Sequence, residues 1–317
     1  MRFWTGVTDN TWYQNLASNA PHDEVNFWHP SGKPPFKGAQ EGMPFLFKLK
    51  SPNNHIAGGG FFIKYESLPL GLAWDAFGTT NGASTFEDFS RLINSARGSR
   101  ADQFMDVGCS ILGEPFFLAR EDWIPVGTAF AGNIVSGKFF DTDTQEGLTV
   151  WGKVEALLRA GRLFNARAGM PLAVAEVPSS YGAPTLVRPR RGQGAFRALV
   201  TNAYGRRCAI TGESTLPVLE AAHIKSVRME GLHNTFNGIL LRSDFHKLFD
   251  AGLVTVTPEL RVEISSRIKE QWFNGRAYSR LHGEALKSLP AMKDDHPRSD
   301  CLQWHNENVY EKGGRVA

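Results

Sequence analysis

Residues 219 to 250 carry the most informative pattern in this 317-residue chain. Val218–Ile224 and Gly238–Leu241 are short apolar runs that predict two strands, and Ser243–Asp250 has the apolar spacing of a helix. His223 lies on the first predicted strand, Asn237 at the start of the second, and His246 on the helix. Residues four apart share a helix face, so His246 and Asp250 can point at one metal ion. The order of these elements predicts a strand–strand–helix unit in which each element carries a polar side chain that could take part in catalysis or metal binding.

Three short motifs follow one another in this part of the chain: CAITG at 208–212, AAHI at 221–224 and HKLFD at 246–250. Linked motifs in a fixed order are more specific than any one of them alone. Residues 193–268 thereby resemble the HNH, or ββα-metal, endonuclease superfamily. The resemblance implies a ββα-metal fold and the hydrolysis of phosphodiester bonds with one divalent cation, Mg²⁺, Mn²⁺ or Ni²⁺, in each active site.

The same resemblance implies a role for each polar residue of the unit. His223 would be the base that activates water, and Asn237 would orient that histidine or the loop before it. His246 would be a metal ligand, and Asp250 stands where many family members have a second ligand on the helix. The chemistry suits these residue types, because a histidine can take a proton from water and a cation can neutralise charge on the phosphate.

The chain departs from the family pattern at Ala222, where many members have a histidine or aspartate ligand. Alternate strand residues share a face, so Glu220 lies on the side of Ala222 and its longer side chain can supply the missing oxygen ligand. Asp244, water or a DNA phosphate are the alternatives.

The cysteines are three, scattered and odd in number, which argues against a disulfide framework and excludes a Cys-x-x-Cys zinc motif. No structural zinc is therefore expected, and the unit must be held by an apolar core. The residues expected to form it are Leu219, Ile224, Ile239, Leu241, Leu248 and Phe249.

A break in composition divides the chain. The stretch VPSSYGAPTLVRPRRGQG has three prolines, three glycines and three arginines, which predicts a linker over 179–192 between domains at 1–178 and 193–317. Arg190 and Arg191 in the linker could contact DNA phosphates or merely keep it solvated.

Basic residues also follow the proposed base. Lys225 and Arg228 could contact phosphates, with an ordinary solvated surface as the alternative.

The polar segment after residue 290 is expected to wrap around the domain or fray.

The first 178 residues predict a mostly-β domain with helices near 85–97 and 149–161. RFWTGVTDNTWY, GGGFF and AWDAFGTTNGAS are similar to segments of PUA-like readers, such as EVE and SRA domains, in modification-dependent restriction enzymes. The resemblance implies that a modified base is turned out of the duplex and stacked between aromatic side chains. The candidates for this pocket are Trp28, Trp74 and Phe77, with Trp4 and Trp123 as further possibilities, and Asn81 to read a base edge.

The alternative for these aromatic residues is an ordinary core, since the chain has 22 Phe and 8 Trp. The acidic excess of the first 178 residues, with 15 Lys+Arg against 18 Asp+Glu, also counts mildly against DNA binding.

The sequence as a whole predicts an α+β protein with an N-terminal PUA-like β-barrel and a C-terminal ββα-metal nuclease domain. We expect it to cleave foreign or modified double-stranded DNA, as in restriction and phage defence, and to act as a homodimer because two strands need two active sites. No apolar run approaches the roughly 18 residues that span a bilayer, and no signal-peptide core is present, so no membrane partner and a cytoplasmic location are expected.

Two other functions remain open. One is a non-specific or nicking nuclease whose N-terminal domain binds protein. The other is a catalytically inactive DNA-binding module, which Ala222 leaves possible.

Overall fold

The computed structural model describes residues 1–98, 105–126, 130, 134–159, 164–165, 170–171, 192–226, 234–272 and 275–311. They form a mixed α+β fold, as predicted, which divides into two compact units, Met1–Ala195 and Phe196–Ala317. Within the described ranges, no helix is both long enough and apolar enough to cross a membrane.

A seven-stranded sheet forms the centre of the first unit, with the strand order β2-β5-β4-β3-β1-β7 and β6 paired to β4. β1 and β3 are parallel, and the other pairs are antiparallel. A separate two-stranded ribbon is formed by β8 and β9. The strands are β1 Arg2–Thr8, β2 Glu24–His29, β3 Pro44–Leu49, β4 His55–Pro69, β5 Asp106–Phe117, β6 Ile124–Pro125, β7 Gly137–Asp141, β8 Phe164–Asn165 and β9 Met170–Pro171.

Four helices accompany this sheet: α1 Asn10–Ser18, α2 Leu70–Phe77, α3 Phe86–Arg97 and α4 Gln145–Arg159. α3 begins where its sequence signals it, because the hydroxyl of Thr85 accepts a hydrogen bond from the backbone N–H of Asp88 at 3.1 Å. It ends at Gly98, whose φ of +69° is the left-handed conformation that commonly terminates a helix.

The two faces of the sheet differ in what covers them. On β5, Ser110 lies opposite Phe27 of β2 and Tyr65 of β4, and opposed residues share a face. This side, here called the aromatic face, belongs to a core rich in rings that includes Phe27, Phe45 and Phe47.

The opposite side bears Asn26, Trp28 and Cys109 and is here called the helical face. The α2–α3 segment lies over it, because Asn26 donates a hydrogen bond to Asn81 at 2.8 Å and the ring of Trp28 contacts Phe89 of α3.

The second unit contains the predicted strand–strand–helix unit. β10 (Leu219–His223) pairs antiparallel with β11 (Gly238–Arg242), and α6 (Ser243–Asp250) follows β11 directly. A hairpin of β12 (Val254–Val256) and β13 (Val262–Ile264) comes next. The remaining helices are α5 Gln193–Ala203, which begins just before the boundary between the units, α7 Arg267–Trp272, α8 Arg276–Ser279 and α9 Ser299–Asn308.

The core of the unit uses the apolar residues expected from its sequence. Five of the six are at most 3% exposed, and Leu248 is partly buried against them. The CAITG segment is a turn that packs on β11: the thiol of Cys208 accepts hydrogen bonds from the backbone N–H groups of Thr211 and Arg242, and Ala209 donates to Leu240 at 2.7 Å.

The segment after residue 290 packs on the domain up to residue 311, so of the two expected outcomes, wrapping or fraying, the structure shows the first. α9 buries Cys301, Leu302 and His305. The ring of His305 stacks on Phe249 at 3.7 Å, and its Nδ1 is 2.8 Å from the hydroxyl of Thr255. A buried histidine with partners on its ring nitrogens is tolerated in a core. α9 is therefore polar on its exposed side, while its buried residue His305 packs against Phe249 near the end of α6.

Candidate active site

The paired strands and α6 bring three predicted metal ligands together. Nδ1 of His246 is 2.6 Å from a carboxylate oxygen of Glu220, and Nε2 is 3.3 Å from a carboxylate oxygen of Asp250. His246 and Asp250 are one helical turn apart on α6, whereas Glu220 reaches the ring from β10. The Glu220 and Asp250 side chains are 43% and 64% exposed, so a ligand can approach from solvent. We call these three residues the carboxylate–histidine cluster.

The electrostatics of the cluster favour a cation. Desolvation by the neighbouring side chains raises the pKa of the Asp250 carboxyl; His246 opposes this effect and the negative charge of Glu220 adds to it. Two carboxylates thus share one imidazole, which leaves negative charge that is not fully compensated.

The side chains as they stand do not form a closed metal centre. In the described part of the chain, no group of three or more His, Cys, Asp or Glu is arranged so that it could hold a metal ion. At His246 both ring nitrogens face carboxylates. Rotation of either carboxylate frees a nitrogen, and an imidazole with carboxylate oxygens is a donor set that suits Mn²⁺, Ni²⁺ or Mg²⁺.

The position of the missing family ligand is also clear. Ala222 is fully buried and offers no donor atom. Asp244, an alternative to Glu220, accepts two hydrogen bonds at 2.7 Å from the guanidinium of Arg242 and one from the hydroxyl of Tyr278. The hydrogen bond from Arg242 is the main reason that the pKa of Asp244 is lowered. Of the two carboxylates, Glu220 is the one placed at His246.

His223 is the last residue of β10, and its ring packs on α5. It stacks on Phe196 with ring centroids 3.7 Å apart and an interplanar angle of 8°. Gly238, which lies opposite His223 in the strand pair, permits this approach: a Cβ there would lie 2.4 Å from Val200 and 3.0 Å from Phe196. The absence of a side chain at Gly238 therefore lets α5 come close enough to set the plane of the imidazole.

Asn237 holds the backbone beside His223. It is almost fully buried, accepts a hydrogen bond from the N–H of Lys225 and donates one to the carbonyl of the same residue, both at 2.9 Å. Its own carbonyl accepts from Ile224 at 2.9 Å. The Asn237 side chain thus holds the backbone two residues beyond His223, just after the end of β10.

The candidate phosphate-contacting residues are only partly placed. The ammonium of Lys225 lies 5.9 Å from the ring centre of Trp304 in α9, a cation–π contact. Arg190, Arg191 and Arg228 lie outside the described residues.

Of the four candidates for a modified-base pocket, Trp28 and Asn81 are joined by a hydrogen bond on the helical face, and Trp74 and Phe77 lie on α2. Asn81 is fully buried and donates both amide hydrogens, to the carbonyls of Ala73 and Gly78, while its oxygen accepts from Asn26. In this arrangement it has no amide hydrogen left for a base edge. Phe77 is buried as well.

The two tryptophans of this group are half-buried. The indole N–H of Trp28 donates to the carbonyl of Asn81 at 3.1 Å. Trp74 packs on Phe86 and Phe89 of α3. These contacts pack α2 and α3 on the sheet. They agree with the alternative given above for these aromatic residues, which is an ordinary core.

Residues 208–257 match the family model of the HNH endonucleases. The matched segment includes the CAITG turn, the paired strands and α6, together with the carboxylate–histidine cluster. The chain therefore carries an HNH endonuclease domain, which defines it as a nuclease.

Comparison with solved structures gives distant likenesses. The ASCH protein of Zymomonas mobilis is 10% identical, with a TM-score of 0.30, and the match covers 46% of this chain and 94% of that one. Two mutants of that protein match with a TM-score of 0.32 and 8% identity. The modification-dependent TagI restriction endonuclease is 12% identical, with a TM-score of 0.29, over 98% of this chain and 83% of that one. A search of curated proteins found no match.

Proposed function

We propose that this chain is a metal-dependent DNA endonuclease that cleaves foreign or modified double-stranded DNA, as restriction enzymes do. The observation that supports the chemistry best is the carboxylate–histidine cluster inside the segment that matches the HNH endonucleases. An endonuclease must compensate the negative charge of its substrate, and this cluster offers an imidazole and two carboxylates that could hold a cation.

His246 would hold the cation through a ring nitrogen, with Asp250 and Glu220 as oxygen ligands. A carboxylate that remains on the other ring nitrogen would fix the orientation of the imidazole, as carboxylates commonly do beside metal-binding histidines. When bound, a divalent cation supplies neutralisation of the scissile phosphate and of the departing oxygen.

His223 would be the general base. As a neutral imidazole it can take the proton from a water molecule, whose oxygen then attacks phosphorus while the bond to the 3′ oxygen breaks. Phe196 restricts the plane of the ring, and Asn237 fixes the backbone next to it. Both contacts reduce the disorder of the base before the substrate arrives, which is how positioning lowers a barrier.

The rest of the chain would select the DNA. We propose a reader domain at 1–178, a linker at 179–192 and the nuclease domain at 193–317. Lys225, Arg190, Arg191 and Arg228 would contact phosphates. Because two strands must be cut, two copies of the chain would act together on DNA.

The experiment is cleavage of matched plasmids by the purified chain with Mg²⁺, Mn²⁺ or Ni²⁺. The plasmids carry cytosine, 5-methylcytosine, 5-hydroxymethylcytosine, glucosylated 5-hydroxymethylcytosine or phosphorothioate linkages. Linearisation of one modified plasmid, at least tenfold faster than of the unmodified one, is the expected result. Equal cutting of all plasmids would leave a non-specific nuclease, and nicked circles alone would indicate a nicking enzyme.

A catalytically inactive DNA-binding module is the second candidate, and Ala222 is the observation that favours it, since this buried side chain cannot bind a metal. This alternative expects no cleavage with any of the three cations, no Mn²⁺ binding at His246, and DNA binding that is unchanged by His223→Ala. Isothermal titration with Mn²⁺ separates the two functions even if the right DNA substrate has not been found.

A further inference from the structure

Two cations of the second unit lie near the strand end that bears the proposed base, each over an aromatic ring. Lys225 is two residues beyond His223, and its ammonium is 5.9 Å from the ring centre of Trp304 in α9. The guanidinium of Arg298, the residue before α9, is 4.9 Å from the ring centre of Phe236. Cations interleaved with aromatic rings are typical of surfaces that bind nucleic acids. We call Lys225 and Arg298 the cation pair.

Both cations are attached to the turn that precedes β11. The backbone N–H of Arg298 donates a hydrogen bond to the carbonyl of Phe236 at 3.0 Å. Asn237, the next residue of that turn, holds the backbone N–H and carbonyl of Lys225 with its side chain. The cation pair therefore comes from two distant parts of the chain that meet at one short turn.

The thiol of Cys301, in the first turn of α9, lies within reach of both charges. Burial and the negative charge of Asp300 raise the pKa of this thiol, and the positive charges of Arg298 and Lys225 oppose the rise. Charges shift a pKa strongly only at short range. The two cations are therefore neighbours at the start of α9.

Arg298 already holds a carboxylate in the geometry that it would use for a phosphate. Its Nε and Nη2 atoms donate hydrogen bonds to the two carboxylate oxygens of Asp300, at 3.0 and 2.6 Å. Arginine binds carboxylates and phosphates with the same fork of two parallel hydrogen bonds. The Arg298 and Asp300 side chains are 56% and 61% exposed, so the ion pair contributes little to stability and one anion can replace another.

The spacing of phosphates in DNA suits two cations beside the base. One strand carries a phosphate at about every 3.4 Å of the helix axis, so a phosphate held at His223 has neighbours a few ångströms away. Residues two apart in an extended chain are separated by about 7 Å, which places Lys225 within that range of His223. The cation pair can therefore follow one strand away from the bond that is cut.

We propose that Lys225 and Arg298 bind neighbouring phosphates of one DNA strand beside the scissile bond, and that Asp300 occupies the guanidinium of Arg298 until a phosphate replaces it. The proposal rests on the proposed function insofar as His223 marks the bond that is cut. It assigns DNA binding to the start of α9, which lies outside residues 208–257 that match the HNH endonucleases.

The test measures DNA binding by the full chain with His223→Ala, so that DNA is not cut. Arg298→Gln removes the guanidinium, and Arg298→Lys keeps the charge but not the fork of hydrogen bonds. The matched control is Arg261→Gln, because Arg261 is an exposed arginine just before β13 that donates to the carbonyl of Gly283 at 2.8 Å. The anisotropy of a fluorescent unmodified duplex gives the dissociation constant between about 50 and 300 mM KCl.

Each phosphate contact adds about 0.9 to the slope of log Kd against log salt concentration, because counterions leave the DNA. Arg298→Gln should therefore reduce that slope by about 0.9 and weaken binding by about 5- to 10-fold near 100 mM KCl, on every duplex sequence alike. Arg298→Lys should regain the slope but not the full affinity, since an ammonium lacks the fork. Arg261→Gln should keep the slope of the parent chain.

The exchange of anions at Arg298 is tested by Asp300→Asn, alone and combined with Arg298→Gln. The single variant should bind DNA about two- to fivefold more tightly, since a phosphate no longer has to displace the carboxylate. The gain should disappear in the double variant. Glu307→Gln is the control for loss of charge, because Glu307 is an exposed carboxylate of α9 that accepts a hydrogen bond from Gln303; it should bring a smaller gain.

Three results would overturn the proposal. They are equal slopes and affinities for Arg298→Gln and Arg261→Gln, a gain from Asp300→Asn that is as large in the double variant or in Glu307→Gln, and a parent chain that binds no duplex. If Arg298→Gln melts far below the parent chain, the comparison of Asp300→Asn with Glu307→Gln still decides. A chain that cuts no DNA but loses the slope in Arg298→Gln would support the DNA contact although the nuclease proposal had failed.

Discussion

The imidazole of His223 lies flat against the ring of Phe196, with centroids 3.7 Å apart and planes 8° from parallel. His223 ends a strand, where a side chain would otherwise have a choice of rotamers, whereas Phe196 is 1% exposed and fixed in the core. Because Phe196 is held in the core, the stack restricts rotation of the His223 ring, which is the proposed base. In the proposed reaction Phe196 would therefore be a positioning residue.

Replacement of Phe196 by leucine should lower kcat for DNA cleavage by about 10- to 100-fold and leave KM nearly unchanged. Leucine fills most of the volume but does not provide a flat surface for the imidazole. Phe196→Tyr retains the surface and should retain kcat. Steady-state cleavage of one fluorescent duplex measures both constants, and a leucine variant as fast as the tyrosine variant would show that the stack does not matter.

Glu220 should contribute to metal binding in place of the ligand that Ala222 lacks. Its carboxylate is 2.6 Å from His246, so Glu220→Gln should weaken Mn²⁺ binding by about 10- to 100-fold, whether the carboxylate binds the ion or orients the imidazole. Glu213→Gln is the matched control, because that carboxylate is hydrogen-bonded to Ser214 and Thr215 instead. Equal Mn²⁺ titration curves for the two variants would exclude Glu220 from the site.

Asn237→Ala should destabilise the second unit by about 2 kcal/mol, because it removes two hydrogen bonds and leaves the backbone groups of Lys225 without those partners. The loss should also lower kcat, since the strand end that bears His223 is no longer closed. Urea unfolding and cleavage rates measure the two effects. Asn308→Ala, at an exposed asparagine of α9, should change stability by less than about 0.5 kcal/mol; a similar loss in both variants would contradict the role of Asn237.

His305 should make the second unit less stable in acid. Burial lowers its pKa to about 4 from an ordinary value of 6.5. Between these values the unfolded chain binds a proton that the folded chain does not, so the stabilisation is complete above about pH 6.5 and declines as the pH falls towards 4.

Urea unfolding at pH 7 and pH 5 tests this pH dependence. Over that interval the parent chain should lose about 2 kcal/mol more than His305→Gln. His29 has a similar shift but is present in both proteins, so the difference between them isolates His305. Parallel losses would contradict the assignment.

The local pattern of the sequence was sufficient for the strand–strand–helix unit. Its apolar spacing predicted α6 at the bounds that the structure has, Ser243–Asp250, and alternation along β10 put Glu220 on the side of Ala222. These features depend on neighbours a few residues apart, and such short-range periodicity is visible in one sequence.

Contacts between distant residues were not predictable in the same way. α9 has a polar surface, and its anchor, His305, finds its partner Thr255 fifty residues earlier. The strand pairing that places Ser110 of β5 opposite Phe27 of β2 and Tyr65 of β4 likewise joins residues that are far apart in the chain.

The candidates for a modified-base pocket show why aromatic composition is a weak guide. Trp28 and Trp74 both contact Phe89, and their rings and the amide of Asn81 attach helices to the sheet. Stacking on a base and packing in a core need the same side chains, and only the hydrogen-bond partners distinguish them.

The roles proposed for the two histidines are tested by plasmid cleavage with the intact chain, His223→Ala and His246→Ala, with Mn²⁺ and with EDTA, beside Mn²⁺ titration of each protein. We expect Mn²⁺-dependent cutting that EDTA abolishes. His223→Ala should bind Mn²⁺ normally but cut at least about 100-fold more slowly, and His246→Ala should lose Mn²⁺ binding and cutting together. Cutting by His223→Ala at the parent rate, or undiminished Mn²⁺ binding by His246→Ala, would show that the proposed roles are wrong.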